Sequence, residues 1–407
     1  MAKIGIDFGT TNTTVSYVDA NGEARPVLSG KIPSALYFFP EGDVIFYGED
    51  AMTYGKDFPD GVLIKNLKRD MRERAVRNLN GNRWTYADLI GNFFKYLKTE
   101  TESQVFKGEE ITDVCITHPV EFSPEKVGIL KQAAQKAGFM NIRLMHEPVA
   151  AAMGYMNAMT KREGYIFNPE TLLIFDFGGG TLDLAVVDTS GGNAQIPLEP
   201  MGDSNCGGEN IDRSLYNLFD KELYTKSGSH ISAVEGEIDL HFLMFACESN
   251  KRALVGRLKP DSTTVMPIMG ATSSGKRISM MVNYAKWKEE VLNPTIDKAM
   301  ALVDKMLSKV KEAGKQIDKA ILIGGSSIIP EVRMELERRN LKCDWIDGVR
   351  DMAVANGAAL AATFPIVPVR CYCINCGKEL MTNIPRCPDP KCLQENFMYD
   401  HKFDAAQ

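Results

Sequence analysis

Apolar and polar positions follow two rhythms along this chain. Short, nearly continuous apolar runs at 114–117, 142–145 and 320–323 predict buried strands. Longer stretches with apolar residues every three or four positions predict helices. Val127, Leu130, Ala134 and Ala137 keep that spacing behind Ser123-Pro124-Glu125, which reads as an N-cap, a first-turn proline and an acidic first turn; Gly138 closes the helix. Glu147-Pro148 starts a helix of small residues over 149–155, and Pro330 opens another over 331–339. Ala299, Leu302, Val303, Met306 and Val310 share one face of a long helix over 297–313, read as core packing, and 213–226 is similar. Strand and helix alternate in both halves, so the expected fold class is α/β with mixed sheets.

One phrase occurs twice. Ile4-Gly5-Ile6-Asp7-Phe8-Gly9-Thr10-Thr11 returns as Leu173-Ile174-Phe175-Asp176-Phe177-Gly178-Gly179-Gly180-Thr181, and each copy runs on into an alternating apolar strand that ends in Asp19 or Asp188. A repeated β-hairpin of this kind predicts two similar half-domains facing each other across a cleft, each giving one turn to hold a phosphate chain. Glycines let the main chain approach a ligand closely, and successive N–H groups form a concave anion site. Thr10, Thr11 and Thr181 add hydroxyl donors. Asp7, Asp176 and Asp183 would repel a bare phosphate, but they suit a Mg²⁺ ion lying between carboxylates and phosphate oxygens, reached through its water shell.

Composition narrows the remaining classes. At 407 residues the chain exceeds the usual size of a single core, so more than one domain is expected. A hydrophobic content of 44% and a charged content of 25% are ordinary for a soluble globular protein. The formal net charge of −6 argues against nucleic acid as a general partner. No run is apolar enough to cross a bilayer; the nearest, 358–369, is short and broken by Pro365 and Pro368. The first hairpin begins almost at Met1, so no signal peptide is read and a cytoplasmic location is expected. Cys115, Cys206, Cys247 and Cys343 are scattered and read as reduced thiols.

Further motifs follow in order. They are Glu147-Pro148-Val149-Ala150-Ala151-Ala152, Gly202-Asp203 with Gly207-Gly208-Glu209-Asn210-Ile211-Asp212, Cys247-Glu248-Ser249-Asn250-Lys251-Arg252, and Ile323-Gly324-Gly325-Ser326-Ser327-Ile328-Ile329-Pro330, then Asp351 and Gly357. Together with both hairpins they resemble the actin/Hsp70/sugar-kinase superfamily, specifically the Hsp70 (DnaK-like) ATPase domain, over roughly residues 1–364. The resemblance implies a duplicated actin-like (ribonuclease H-like) ATPase fold at 1–366, with lobe I about 1–165 and lobe II about 166–366. It implies ATP or ADP as ligand, Mg²⁺ as metal and K⁺ as a candidate further ion. Asp7, Asp176 and Asp183 would hold the Mg²⁺ waters, with Glu147 completing the carboxylate set. Gly9, Thr10, Thr11, Asn12, Gly178, Gly179, Gly180 and Thr181 would touch the phosphates, with Gly207 and Gly208 beside them. Lys65 falls where the family has its catalytic lysine, working with Glu147, Asp176 and Thr181. Glu248, Lys251 and Arg252 would bracket the adenosine, Gly324, Gly325 and Ser326 would close its purine side, and Asp351 belongs to the last helix. Asp203 and Asn210 read as structural turn residues, and 258–279 as the outer hairpin of the second lobe. The chain departs from the family at Asn12, usually aromatic, at Ile328, commonly arginine, and at Val255, usually a small hydroxyl residue.

Five cysteines cluster in the tail. Cys373-Ile374-Asn375-Cys376-Gly377 has the C-x-x-C-G shape of a zinc knuckle, and Cys387 and Cys392 form a second pair. Residues 367–407 therefore resemble a zinc ribbon holding Zn²⁺ on four thiolates, with Cys371 as a spare and His401 as a remote substitute; an Fe–S cluster is the second reading of these cysteines and a redox disulfide the third. Full-length Hsp70 proteins continue into a β-rich substrate-binding domain and a helical lid, where this sequence has the ribbon. The expected function is thus an Hsp70-like, Mg²⁺-dependent ATPase and conformational switch, acting on an unidentified protein partner or client through the ribbon or the 366–369 segment. An actin-like assembly protein and a small-molecule kinase on the same superfold are the alternatives.

Overall fold

A computed structural model describes residues 2–40, 44–58, 60–65, 67–71, 76–79, 81–163, 170–189, 196–228, 230–231, 237–260, 263–271, 277–344 and 352–363, with three short tail strands. At 28–29, 76, 160–163, 237–242, 271 and in the tail the description is of the backbone alone.

The repeated phrase becomes a repeated sheet. In the first, β1 (Ala2–Phe8) pairs antiparallel with β2 (Asn12–Val18), which pairs antiparallel with β3 (Ala24–Pro33). On its other side β1 runs parallel to β4 (Ile111–His118), and β4 runs parallel to β5 (Asn141–His146). The second sheet repeats this plan. Its hairpin is β6 (Thr171–Phe177) and β7 (Leu182–Asp188), extended antiparallel by β8 (Met201–Asp203) and parallel by β9 (Lys319–Ile323) and β10 (Cys343–Asp344). The strand orders β3-β2-β1-β4-β5 and β8-β7-β6-β9-β10 match one for one. Register matches too, with Asp7 opposite Thr14 in one hairpin and Asp176 opposite Asp183 in the other.

Three cores hold this together. One lies beside the first sheet, where Ile4, Ile6 and Phe8 pack with Phe93, Phe94 and Leu130. The Pro124–Lys136 helix starts at the expected place: the Ser123 side chain accepts from the Lys126 N–H, and Gly138 takes φ 85°. The Tyr86–Gln104 helix carries a capping box at Thr85 and Asp88 that the apolar pattern did not bring out. A second core lies beside the second sheet with helices Gly208–Ser227, Glu237–Leu254, Asn293–Glu312 and Pro330–Glu337. The long amphipathic helix begins before residue 297, because a π-helical segment, Trp287–Leu292, runs into it and buries Trp287, Val291 and Leu292. The outer hairpin, Val265–Ala271 with Arg277–Asn283, lies several residues later than 258–279 because Leu258 still belongs to the buried turn that follows the Glu237–Leu254 helix.

The third core lies between the sheets. There helix Glu147–Glu163 packs on helix Ala353–Thr363, with Ile174 and Ile321 from the second sheet and Cys115 from the first. The two backbones touch. A Cβ on Gly357 would sit 1.7 Å from the Ala150 carbonyl oxygen, and one on Gly154 would sit 2.1 Å from that of Ala353. The Ala353–Thr363 helix also lies against β1, where a Cβ on Gly5 would meet the Ala359 nitrogen at 2.1 Å. Ser16 donates to Asn356 at 2.8 Å in the same seam, and Arg143 donates to the Ala361 carbonyl near the end of the helix.

In the tail, Cys371–Cys373 pairs antiparallel with Glu379–Leu380 and with Phe397–Tyr399. The proposed zinc ligands Cys376, Cys387 and Cys392, the substitute His401 and the side chain of Cys373 lie outside the described residues, as does Asp351. Among the described residues no helix is long and apolar enough to cross a membrane.

Candidate functional site

Both hairpin turns are built by close backbone approach. A Cβ on Gly9 would meet the Asn12 carbonyl oxygen at 2.1 Å, so only glycine makes this turn. Ser34 fastens it, its hydroxyl donating to the Gly9 carbonyl at 2.8 Å and its N–H to that of Thr11 at 2.9 Å. Asn12 is already in β2, opposite Pro33. In the second turn Gly178 N–H donates to the Thr181 carbonyl at 3.0 Å. The turns face each other: a Cβ on Gly179 would lie 3.0 Å from the Thr11 hydroxyl.

The Gly207-Gly208 segment braces the second turn. Gly208 N–H donates to the Gly178 carbonyl at 3.0 Å and Glu209 N–H to that of Gly179 at 2.6 Å. Asn210, in the first turn of the Gly208–Ser227 helix, accepts from Gly207 N–H, and Asp203, the last residue of β8, accepts from Asn205 N–H and pairs with Lys298 at 2.8 Å; both hold local structure, from a helix and a strand rather than from turns. The Ser326 hydroxyl donates to the Gly178 carbonyl at 2.8 Å. Gly324 takes φ 80°, and a Cβ there would strike Asp176 at 2.5 Å, whereas Gly325 faces open space. The 324–326 turn thus abuts the end of β6.

Beneath the turns four carboxylates gather around one ammonium. Lys68 Nζ lies 2.5 Å from Glu147 Oε1, and both side chains are buried. Thr117 donates to Asp7 at 3.2 Å. Burial, then the Glu147 charge, push the Asp7 carboxyl up to about 6; the same two causes in the same order push Asp183 up to about 7. Burial also raises Asp176 well above the ordinary carboxylate range, reinforced by Glu147, Asp183 and Asp7. For Lys68 burial disfavours the charge, but Glu147, Asp7 and Asp183 together outweigh it and raise the pKa. With one lysine among four carboxylates, ionising all of them at once leaves a negative surplus that a cation could offset.

The structure does not bring Lys65 to these carboxylates. It is exposed just after the short strand Val62–Ile64, and the one-turn helix Leu67–Asp70, anchored by buried Leu67, turns Lys68 inward instead. Three other groups went unread in the sequence. Arg69 reaches Glu209 in the other half at 2.7 Å. Glu121 packs on Gly202, where a Cβ would lie 2.7 Å from its carboxylate. Asp212 is buried, holds Lys251 at 2.7 Å and is pushed up to about 6 by burial.

The residues expected on the adenosine side separate into two arrangements. Lys251 is tied inward, donating to Asp212 and, at 3.0 Å, to the Gly208 carbonyl. Arg252 pairs with Glu248 at 2.6 Å on the exposed face of the same helix. The four scattered cysteines are free thiols, three buried and Cys343 half-buried, each raised to about 11 or 12 chiefly by burial. A cavity of about 390 Å³ beside Phe38, Tyr47, Trp84 and Asn92 lies away from the carboxylates.

Hard oxygen donors with excess negative charge fit Mg²⁺. Among the described residues no three His, Cys, Asp or Glu side chains stand close enough to hold a metal directly.

Comparison with known proteins gives this arrangement a lineage. The chain is 28% identical over 372 residues to the chaperone protein DnaK of Cenarchaeum symbiosum (strain A), covering 89% of this chain. It spans about half of that relative, 54% of its length. The family model for Hsp70 protein matches residues 61–366, three quarters of the sequence. The chain belongs to the Hsp70 family.

Proposed function

We propose that the cleft binds Mg²⁺-ATP and hydrolyses it to ADP and phosphate, making the chain a chaperone-type conformational switch. The observation that carries this reading is the buried Lys68–Glu147 pair among Asp7, Asp176 and Asp183, lying below two facing glycine turns. The turns offer N–H and hydroxyl donors to a phosphate chain. Asp7, Asp176 and Asp183 would hold the waters of Mg²⁺, which when bound neutralises charge on the phosphate oxygens.

Phosphoryl transfer leaves the protein chiefly positioning and charge stabilisation to supply. Lys68 places a fixed positive charge at the floor of the cleft, in the role that the resemblance assigned to Lys65. Glu147 holds that ammonium in place and, as the first residue of the crossing helix, links it to the seam between the halves. Ser326, Gly324 and Gly325 form the nucleoside side with Lys251 and Arg252. Contacts made from both turns to one phosphate chain favour the closed arrangement. The switch would act on a protein partner or client, with residues 367–407 as a zinc-binding module that presents it.

The test is phosphate release from ATP with and without Mg²⁺. Turnover that needs the metal and is lost in Lys68→Ala supports the reading. Wild-type protein that neither binds nor cleaves ATP overturns it.

A further inference from the structure

Lys68 turns inward, but its neighbour Arg69 turns toward the other half. One Nη of Arg69 lies 2.7 Å from Glu209, and it would lie 2.8 Å from a Cβ on Gly180. The guanidinium therefore rests against the second glycine turn. Among the described residues this is the one ion pair that joins 2–163 to 170–344.

The turn has a direction. Gly178 is tied to Ser326 and Gly208, on the side where Lys251 and the 324–326 turn lie. Gly180, two residues on, faces Arg69. A phosphate chain laid along the turn from the nucleoside side reaches its far end beside this guanidinium. The pairing of Arg69 with Glu209 is suited to exchange. Both side chains are about 40% exposed, and an exposed pair of this kind is weak. Glu209 sits in the first turn of the Gly208–Ser227 helix, where the helix N-terminus stabilises a carboxylate without its arginine. A terminal phosphate offers the planar guanidinium fork two acceptors at once.

We propose that Arg69 is a specificity-determining residue for the terminal phosphate of a nucleoside triphosphate, and that it leaves Glu209 to bind that group. This rests on reading the cleft as a nucleotide site. The experiment is calorimetric titration of wild type, Arg69→Ala, Arg69→Lys and Glu209→Gln with ATP and with ADP in Mg²⁺. Arg69→Ala is expected to weaken ATP about tenfold, the loss of one charge-assisted contact, and ADP by less than about twofold. Arg69→Lys falls between, and Glu209→Gln tightens ATP while leaving ADP unchanged. Equal losses for ATP and ADP in Arg69→Ala, or weakening of both by Glu209→Gln, would show the pair to be a clamp between the halves and overturn the proposal. Absence of any nucleotide binding by the wild type overturns the cleft reading itself, and this inference with it.

Discussion

Lys68 and Glu147 meet at 2.5 Å in the interior and join a one-turn helix of the first half to the opening residue of the helix that crosses between the halves. Removing one member of a buried pair strands the other charge, which costs about 3–5 kcal/mol. Lys68→Ala is therefore expected to lower stability in chemical denaturation by about that amount. It should also lower turnover at least about 100-fold, the typical effect of losing one stabilising donor. Lys65→Ala should leave both within about twofold, as surface changes away from such features usually do. Equal losses from the two variants would remove the distinction.

The raised carboxyls make metal and pH interdependent. Asp7 and Asp183 stand at about 6 and about 7 in the folded chain, against an ordinary value of 3.8. A folded-state value above the unfolded one gives stability that is full below the unfolded value and is lost as pH rises through the folded one. In chelator, the melting temperature should therefore fall between about pH 4 and 7 through this cluster, and Asp183→Asn should flatten that slope. Mg²⁺ requires the ionised carboxylates, so its affinity should rise over the same interval and its binding should release protons. Calorimetry in buffers of different ionisation enthalpy measures the release directly.

The helix crossing tolerates nothing larger than glycine at two points. A Cβ on Gly357 would lie 1.7 Å from a carbonyl oxygen, so Gly357→Ala should cost about 3 kcal/mol or more through forced backbone shifts. Gly128, helical with no atom within 4 Å of its would-be Cβ, is the control, and Gly128→Ala should stabilise by about 0.5–1 kcal/mol. Thermal unfolding of the two variants checks both signs.

The tail makes a compositional prediction. If Cys373, Cys376, Cys387 and Cys392 hold zinc, elemental analysis of the purified chain should find one zinc per molecule. Cys387→Ser with Cys392→Ser should lose it. A metal-free wild type prepared without chelator would remove the ribbon from the reading.

Much of the site was legible because backbone geometry leaves a mark in residue type. Gly9 and Gly207 stand where a side chain would collide with main chain, and the repeated Asp-Phe-Gly phrase marked both turns. Ser123, Pro124 and Gly138 likewise marked both ends of one helix. Lys68 was hidden because two lysines three residues apart look alike in sequence; only the burial of Leu67 decides which one turns inward. Arg69 and Glu209 are 140 residues apart and meet through tertiary packing that no local pattern records. The π-helical run before Asn293 was missed because its apolar spacing departs from the ordinary helical period.

Gly154 and Gly357 put main chain against main chain where the two halves meet. A seam of interlocked side chains can shift only by repacking rotamers, layer by layer. Where the two helices touch at glycines there are no side chains to disengage, so a turn of one half over the other would need no repacking at those two points. If the cleft works as the proposed switch, changes that tune its rate would then gather at the rim of the cleft and spare these two contact points.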